Sequence, residues 1–141
     1  MADNKDTVRK IEAAWNKNDL AALDQHFAAS FDNSTSGVPG LPAGLPGSKM
    51  AHGMVMKAFP DRKVQILDIV GEGDRVAVRN RITGTNTGGA AFLGAPQPNG
   101  AKIDFESWSI YQLKDGKVVA HWGINDGVKG MIQLGAMKPP M

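Results

Sequence analysis

The chain contains no cysteine. That excludes a disulfide framework, a thiolate metal centre and a thiol nucleophile, and it is compatible with a cytoplasmic protein. Net charge is also small, since 16 Lys and Arg against 14 Asp and Glu leave a formal +2. The basic residues are scattered and form no stripe, so the pI near 9.0 does not point to nucleic acid. No apolar run is long enough to cross a bilayer, and the polar start Met-Ala-Asp-Asn-Lys-Asp lacks the apolar core of a signal peptide. No membrane partner is expected. Histidine is scarce, and His26, His52 and His121 fall at no metal-ligand spacing, so no metal is expected. A Gly-x-Ser-x-Gly elbow and a phosphate loop are missing as well.

The 141 residues, 42% hydrophobic and 21% charged, suffice for one domain, 1–141, with a real core. Val8, Ile11 and Trp15 recur at helical spacing, and Asp3 or Asp6 can cap that helix. Asn18-Asp19 interrupts it. Leu20, Leu23, Phe27 and Phe31 continue at helical spacing, which predicts a second short helix. Residues 32–47 are rich in Pro and Gly and read as a loop, either a lid or a plain surface connection. A third helix is predicted over 48–59, stopped by Pro60.

From Lys63 the period falls to two. Val64, Ile66 and Val70 lie on one parity, with a second apolar set at Leu67 and Ile69. Arg75 to Thr87 reads as the next strand, with Val76, Val78 and Ile82 on one face and Arg79, Arg81 and Thr83 on the other. Residues 88–101 read as a long loop. Two strand-like runs then flank Asp115-Gly116, the strongest short-range hairpin signal, before a short helix from about Val128 to Leu134. Three helices followed by a four-stranded meander predict an α+β fold, with helices packed on a curved, mostly antiparallel sheet. Such a cone suits a small apolar ligand. Strands apolar on both parities, near Leu67–Val70 and Ile103–Tyr111, need cover on both faces, which predicts a homodimer.

Few groups in this chain can do chemistry. Asp126 ends the last strand beside an apolar interior, a suitable place for an acid or base. It equally suits the N-cap of the helix that follows. His121 lies on the same strand and is a candidate catalytic or hydrogen-bonding group, or a satisfied core histidine. Arg79 can orient a carbonyl-bearing ligand or sit on a solvated strand face. Trp108 shares its parity with Glu106 and is a candidate ligand-binding wall.

Phe59-Pro-Asp, Gly73-Asp-Arg-Val-Ala-Val-Arg, Gly84-Thr-Asn-Thr-Gly, Asp115-Gly-Lys-Val-Val-Ala-His-Trp, Asp126 and Gln133-Leu-Gly together resemble the SnoaL-like polyketide cyclases. These belong to the nuclear-transport-factor-2-like (cystatin-like) superfamily. The resemblance implies a cone-shaped α+β fold, paired subunits and cofactor-free acid/base catalysis of an aldol ring closure, with Asp126 in the position of the family's acid/base aspartate. Two positions depart from the family pattern. Asn86 stands within the Gly-Thr-His-Thr-Gly motif where the family often has His, and Asn33 aligns with a second such His. Asparagine hydrogen-bonds but cannot shuttle a proton, so both become candidate ligand contacts. The resemblance therefore supports a cyclase or isomerase, or a non-catalytic binding protein built on the same cone. Epoxide hydrolysis ranks below both, because Arg79-Asn80-Arg81 lacks the strand aspartate that chemistry requires.

Overall fold

The computed structural model describes residues 3–32 and 40–140. Helix α1 runs Asn4–Lys17. Asp3 caps it through a side-chain bond accepted from the Lys5 N–H at 3.0 Å, which satisfies a donor the helix itself cannot. Asn18, in the left-handed region, ends it. Helix α2 runs Gly44–Ala58 and α3 runs Gly127–Gln133. Among the described residues no helix is long and apolar enough to cross a membrane.

Five strands form one sheet: β1 Phe27–Asp32, β2 Lys63–Glu72, β3 Arg75–Thr85, β4 Lys102–Lys114 and β5 Lys117–Asn125. Their order is β1-β5-β4-β3-β2. The β2 to β5 pairs are antiparallel, and β1 joins β5 in parallel at the edge. The meander and its Asp115-Gly116 turn thus form as expected.

The predicted second helix does not form. Leu20–Gln25 makes a short 3-10 turn, and Phe27–Asp32 is strand β1. A spacing of four, as between Phe27 and Phe31, returns to the same face in a strand as well as in a helix. Both rings are buried and meet edge to face at 4.8 Å. The two apolar sets on β2 also have a structural cause. The pairing of β2 with β3 shifts between Ile66 and Asp68. A bulge there reverses the alternation, so Ile66 and Ile69 both pack on the core while Val70 is exposed.

The core lies between the helices and the concave face of the sheet. Val8 and Ile11 of α1 pack with Val76, Val78, Tyr111, Leu113 and Val118. A second cluster joins Phe59, Ile103, Phe105 and Leu134. The motifs noted in the sequence hold these layers together. Asp61 accepts bonds from both the backbone N–H and the hydroxyl of Thr85, each at 2.7 Å, so the Phe-Pro-Asp turn is clasped to the end of β3. Gln133 clips α3 to β4 by accepting from the Asp104 N–H and donating to the Asp104 carbonyl.

Asn86 is fully buried. Its amide donates to the Gln97 carbonyl and to Asn99 Oδ1, and its own Oδ1 accepts from the Gly89 N–H. These bonds tie down the 88–101 loop. Gly88 has no side chain for a steric reason: a Cβ there would lie 1.7 Å from the Lys57 carbonyl oxygen. Asn86→Ala leaves several buried polar groups unpaired. It is expected to lower unfolding free energy by roughly 2–4 kcal/mol, measured by urea denaturation.

Candidate functional site

Strand alternation decides what faces the interior of the cone. On β3, Val76, Val78, Asn80 and Ile82 point inward. On β4, Ile103, Phe105, Ser107, Ser109 and Tyr111 do so. Of these, Asn80 and Ile82 of β3 and the five residues of β4, with His121 and Asn125 of β5 and residues of α1 and α2, enclose a cavity of about 400 Å³. Its walls are largely apolar, with a few polar groups converging, the usual composition of a small-molecule site.

The most buried of these polar groups surround one carboxyl. Glu12 is 8% exposed and accepts a 2.8 Å bond from the Tyr111 hydroxyl. Burial raises the Glu12 pKa, opposed by the Tyr111 hydrogen bond, the Arg62 charge and the Asn80 side chain. Burial also raises the Tyr111 pKa well above its usual value, reinforced by Glu12, so the phenol keeps its proton and donates it. Arg62 is pulled below its usual value by burial, with Glu12 and Tyr111 acting in the opposite sense. A guanidinium remains charged under such a shift.

His121 faces Tyr111 across the β4–β5 pair, with ring centroids 4.7 Å apart. Gly123 makes room for it, because a Cβ there would lie 3.0 Å from His121 Cε1. Burial lowers the His121 pKa to about 4, so the imidazole is neutral at physiological pH. His52 of α2 also borders the cavity. Its ring lies 4.8 Å from Trp15, and its Nε2 is 3.1 Å from Asn18 Oδ1. Burial, aided by the Arg62 charge, lowers its pKa to about 4.

Of the candidate site residues proposed from sequence, His121 alone among the described residues lines this cavity. Asp126 follows Asn125, the last lining residue of β5, but is itself exposed. Its Oδ1 accepts from the Lys129 N–H at 3.1 Å and caps α3. Arg79 and Trp108, expected to contact ligand, lie on the convex face. They pair with each other across β3 and β4, one residue out of phase with inward-facing Asn80 and Ser107. Arg79 instead bridges Asp68 at 2.7 Å and Glu106 at 2.8 Å, and the Trp108 indole donates to Glu106. Asn86 organises its loop and does not line the cavity. Asn33 lies outside the described residues. The sequence signals for the polar cluster were a lone Asn80 among Val76, Val78 and Ile82, and a Glu12 four residues after Val8 on the apolar stripe of α1.

A family model described as SnoaL-like polyketide cyclase matches residues 5–134. No curated protein is similar enough in sequence to count as a match. Among solved structures, IdmH from Streptomyces antibioticus, a candidate polyketide cyclase, is 28% identical, with 95% of this chain and 99% of that chain covered and a TM-score of 0.80. AclR from Streptomyces galilaeus, a candidate hydroxylase, is 26% identical over 96% and 87% of the two chains, with a TM-score of 0.81. TsrD from Streptomyces laurentii is 26% identical over 94% of each chain, with a TM-score of 0.80.

The two cavity histidines have a consequence for stability. Folded, His52 and His121 bind protons only near pH 4, against 6.5 when unperturbed. Between those values the unfolded chain binds more protons. Their contribution is therefore complete above about 6.5 and is lost as pH falls through about 4. Glu12, with its raised pKa, acts in the opposite sense: its contribution is complete below about 4.5 and declines as pH rises through its folded value. Thermal melts should show Tm falling from neutral pH to about 4. In the double variant His52→Gln, His121→Gln the slope should be visibly shallower.

Proposed function

Since the chain belongs to the SnoaL-like polyketide cyclase family, we propose that its cone is the active site of a cofactor-independent acid/base enzyme. Its substrate would be a small apolar carbonyl compound, and the reaction an aldol-type cyclisation or an isomerisation. The observation that supports this best is His121, a neutral imidazole in an apolar cavity wall, held by Tyr111 and Gly123. Such a group takes a proton from the carbon next to a carbonyl. The electron pair of that C–H bond becomes the enolate. The enolate then forms a carbon–carbon bond to a second carbonyl, or is reprotonated at another carbon. The imidazolium, a strong acid at this low pKa, returns the proton to the alkoxide or carbon, and the cycle closes without a net change in the protein.

Asp126 belongs to the same proposal as the alternative acid/base group, acting once its carboxylate leaves the α3 cap. That cap bond and the structural use of Asn86 favour the second reading, a non-catalytic binding protein with the same cone. Exchange of the acidic protons of benzoylacetone in D2O, followed by NMR, separates the possibilities. His121→Gln should slow protein-catalysed exchange at least about tenfold, within the range of general-base effects, while Asp126→Asn keeps most of it. The reverse pattern would assign the role to Asp126. Exchange no faster than in buffer would support the binding protein.

The convex face fits a second copy of the chain. Val70, Trp108, Ile110 and Ile124 are all exposed there, Ile124 at 74% and Trp108 at 57%. With Ala77 and Trp122 they line one broad apolar depression, flanked by the Arg79 and Arg81 ion pairs. A contiguous apolar patch with a charged rim is typical of an interface. Size-exclusion chromatography with light scattering at micromolar concentration should give a dimer mass. Ile124→Lys should shift it to the monomer.

A further inference from the structure

Gly123 lies within β5 on ordinary strand backbone, so no unusual φ calls for glycine there. Glycine weakens a strand interior and often marks a point where another group comes close. A Cβ at this position would lie 3.0 Å from His121 Cε1, 3.5 Å from His121 Nε2 and 3.5 Å from Ser109 Oγ. Ser109 is the cross-strand partner of Gly123, and it lines the cavity together with His121. The missing side chain thus leaves a notch edged by an imidazole on one side and a hydroxyl on the other. That hydroxyl is uncommitted. Ser109 Oγ has no hydrogen-bond partner among the described residues, yet it is not one of their sealed, unpaired atoms, which are Arg62 Nη1 and Asn80 Oδ1. Its oxygen is therefore open to the cavity. Tyr111, which pairs with His121 itself, has already given its hydroxyl to Glu12. Ser107 pairs with Asn125, two residues farther along β5 from the ring.

We propose that Ser109 is a second catalytic residue, its hydroxyl donating to a substrate carbonyl oxygen seated at the Gly123 notch while His121 removes a proton from the neighbouring carbon. This rests on the cone being an acid/base site and names the group that receives the developing charge. Two atoms each 3.5 Å from one point are separated by at most twice that distance. A carbonyl oxygen and the carbon beside the carbonyl are two bonds apart, of about 1.2 and 1.5 Å. A hydrogen bond of about 2.8 Å at the oxygen and an approach of about 3–3.5 Å at the carbon let one enolisable carbonyl span such a gap. The C–H electron pair becomes the C=C bond of the enolate, and the carbonyl π pair moves onto oxygen. The hydrogen bond from Ser109 strengthens as that charge grows, and the hydroxyl keeps its proton. Reprotonation by the imidazolium then restores every group. A donor aimed where charge develops acts on the rate more than on ground-state binding.

Proton exchange of benzoylacetone in D2O, followed against ketone concentration with the full chain, tests the assignment. Ser109→Ala should lower the saturating rate about tenfold to a hundredfold, the range for a hydrogen bond to a charged oxygen. The half-saturating concentration should stay close to that of the unmodified protein. Ser109→Thr keeps a hydroxyl and should recover most of the rate. The melting temperature of Ser109→Ala should not fall, since an unpaired hydroxyl holds nothing in the fold. Exchange at full rate by Ser109→Ala would remove Ser109 from the mechanism and leave His121 as the base. Equal losses in the alanine and threonine variants would also overturn the proposal, because they trace to packing and not to the donor. Exchange by the unmodified protein no faster than in buffer would overturn the acid/base reading and this assignment together.

Discussion

The buried bond between Tyr111 and Glu12 connects the first helix to the fourth strand across most of the chain. A carboxyl group removed from water must be compensated by hydrogen bonds or lose its charge. Tyr111, Arg62 and Asn80 supply that compensation from three separate places in the sequence. The position of α1 over the sheet therefore does not depend on apolar contact alone. The same requirement leaves polar groups at the base of an otherwise apolar cavity, so packing and chemistry share one cause.

Much of the architecture is legible because side-chain periodicity and turn chemistry agree along β3, β4 and β5. The Asp115-Gly116 hairpin and the inward parity of Val76, Val78 and Ile82 are clear from the sequence. Agreement fails where a spacing suits two structures. Phe27 and Phe31 fit either period, and the choice of strand is made by pairing with β5, a partner far along the chain. The two apolar sets on β2 similarly suggest a strand covered on both sides, yet one bulge accounts for part of that pattern. The apolar convex face depends instead on Trp108, Ile110 and Ile124.

The site was less legible than the fold. Asp126 draws attention as a carboxylate at a strand end, but the same location makes it a helix cap, and the structure places it there. Sequence cannot rank the two uses, because both require the same residue in the same place. Arg79 and Trp108 carry the chemistry expected of a binding site and lie one residue out of phase with the cavity-facing set. Asn80 and Glu12 are more informative for the opposite reason: each is a polar residue at a position whose neighbours demand an apolar one. Arg62 has no such pattern around it, and only the Asp61 clasp explains why a residue beyond the helix end enters the interior.

The Asn86 knot separates two inheritances within one small chain. Phe92 and Leu93 close one side of the cavity from a loop whose ends are fastened at Asn86, Asn99 and Ala101. Lengthening such a loop costs little closure entropy, because that cost grows only with the logarithm of its length. Insertions and deletions between the fastened ends can thus reshape the ligand space while the sheet, the buried cluster and His121 stay where they are. Divergence in what is bound can run ahead of divergence in how it is handled, and relatives of one fold can part company in substrate long before they do so in architecture.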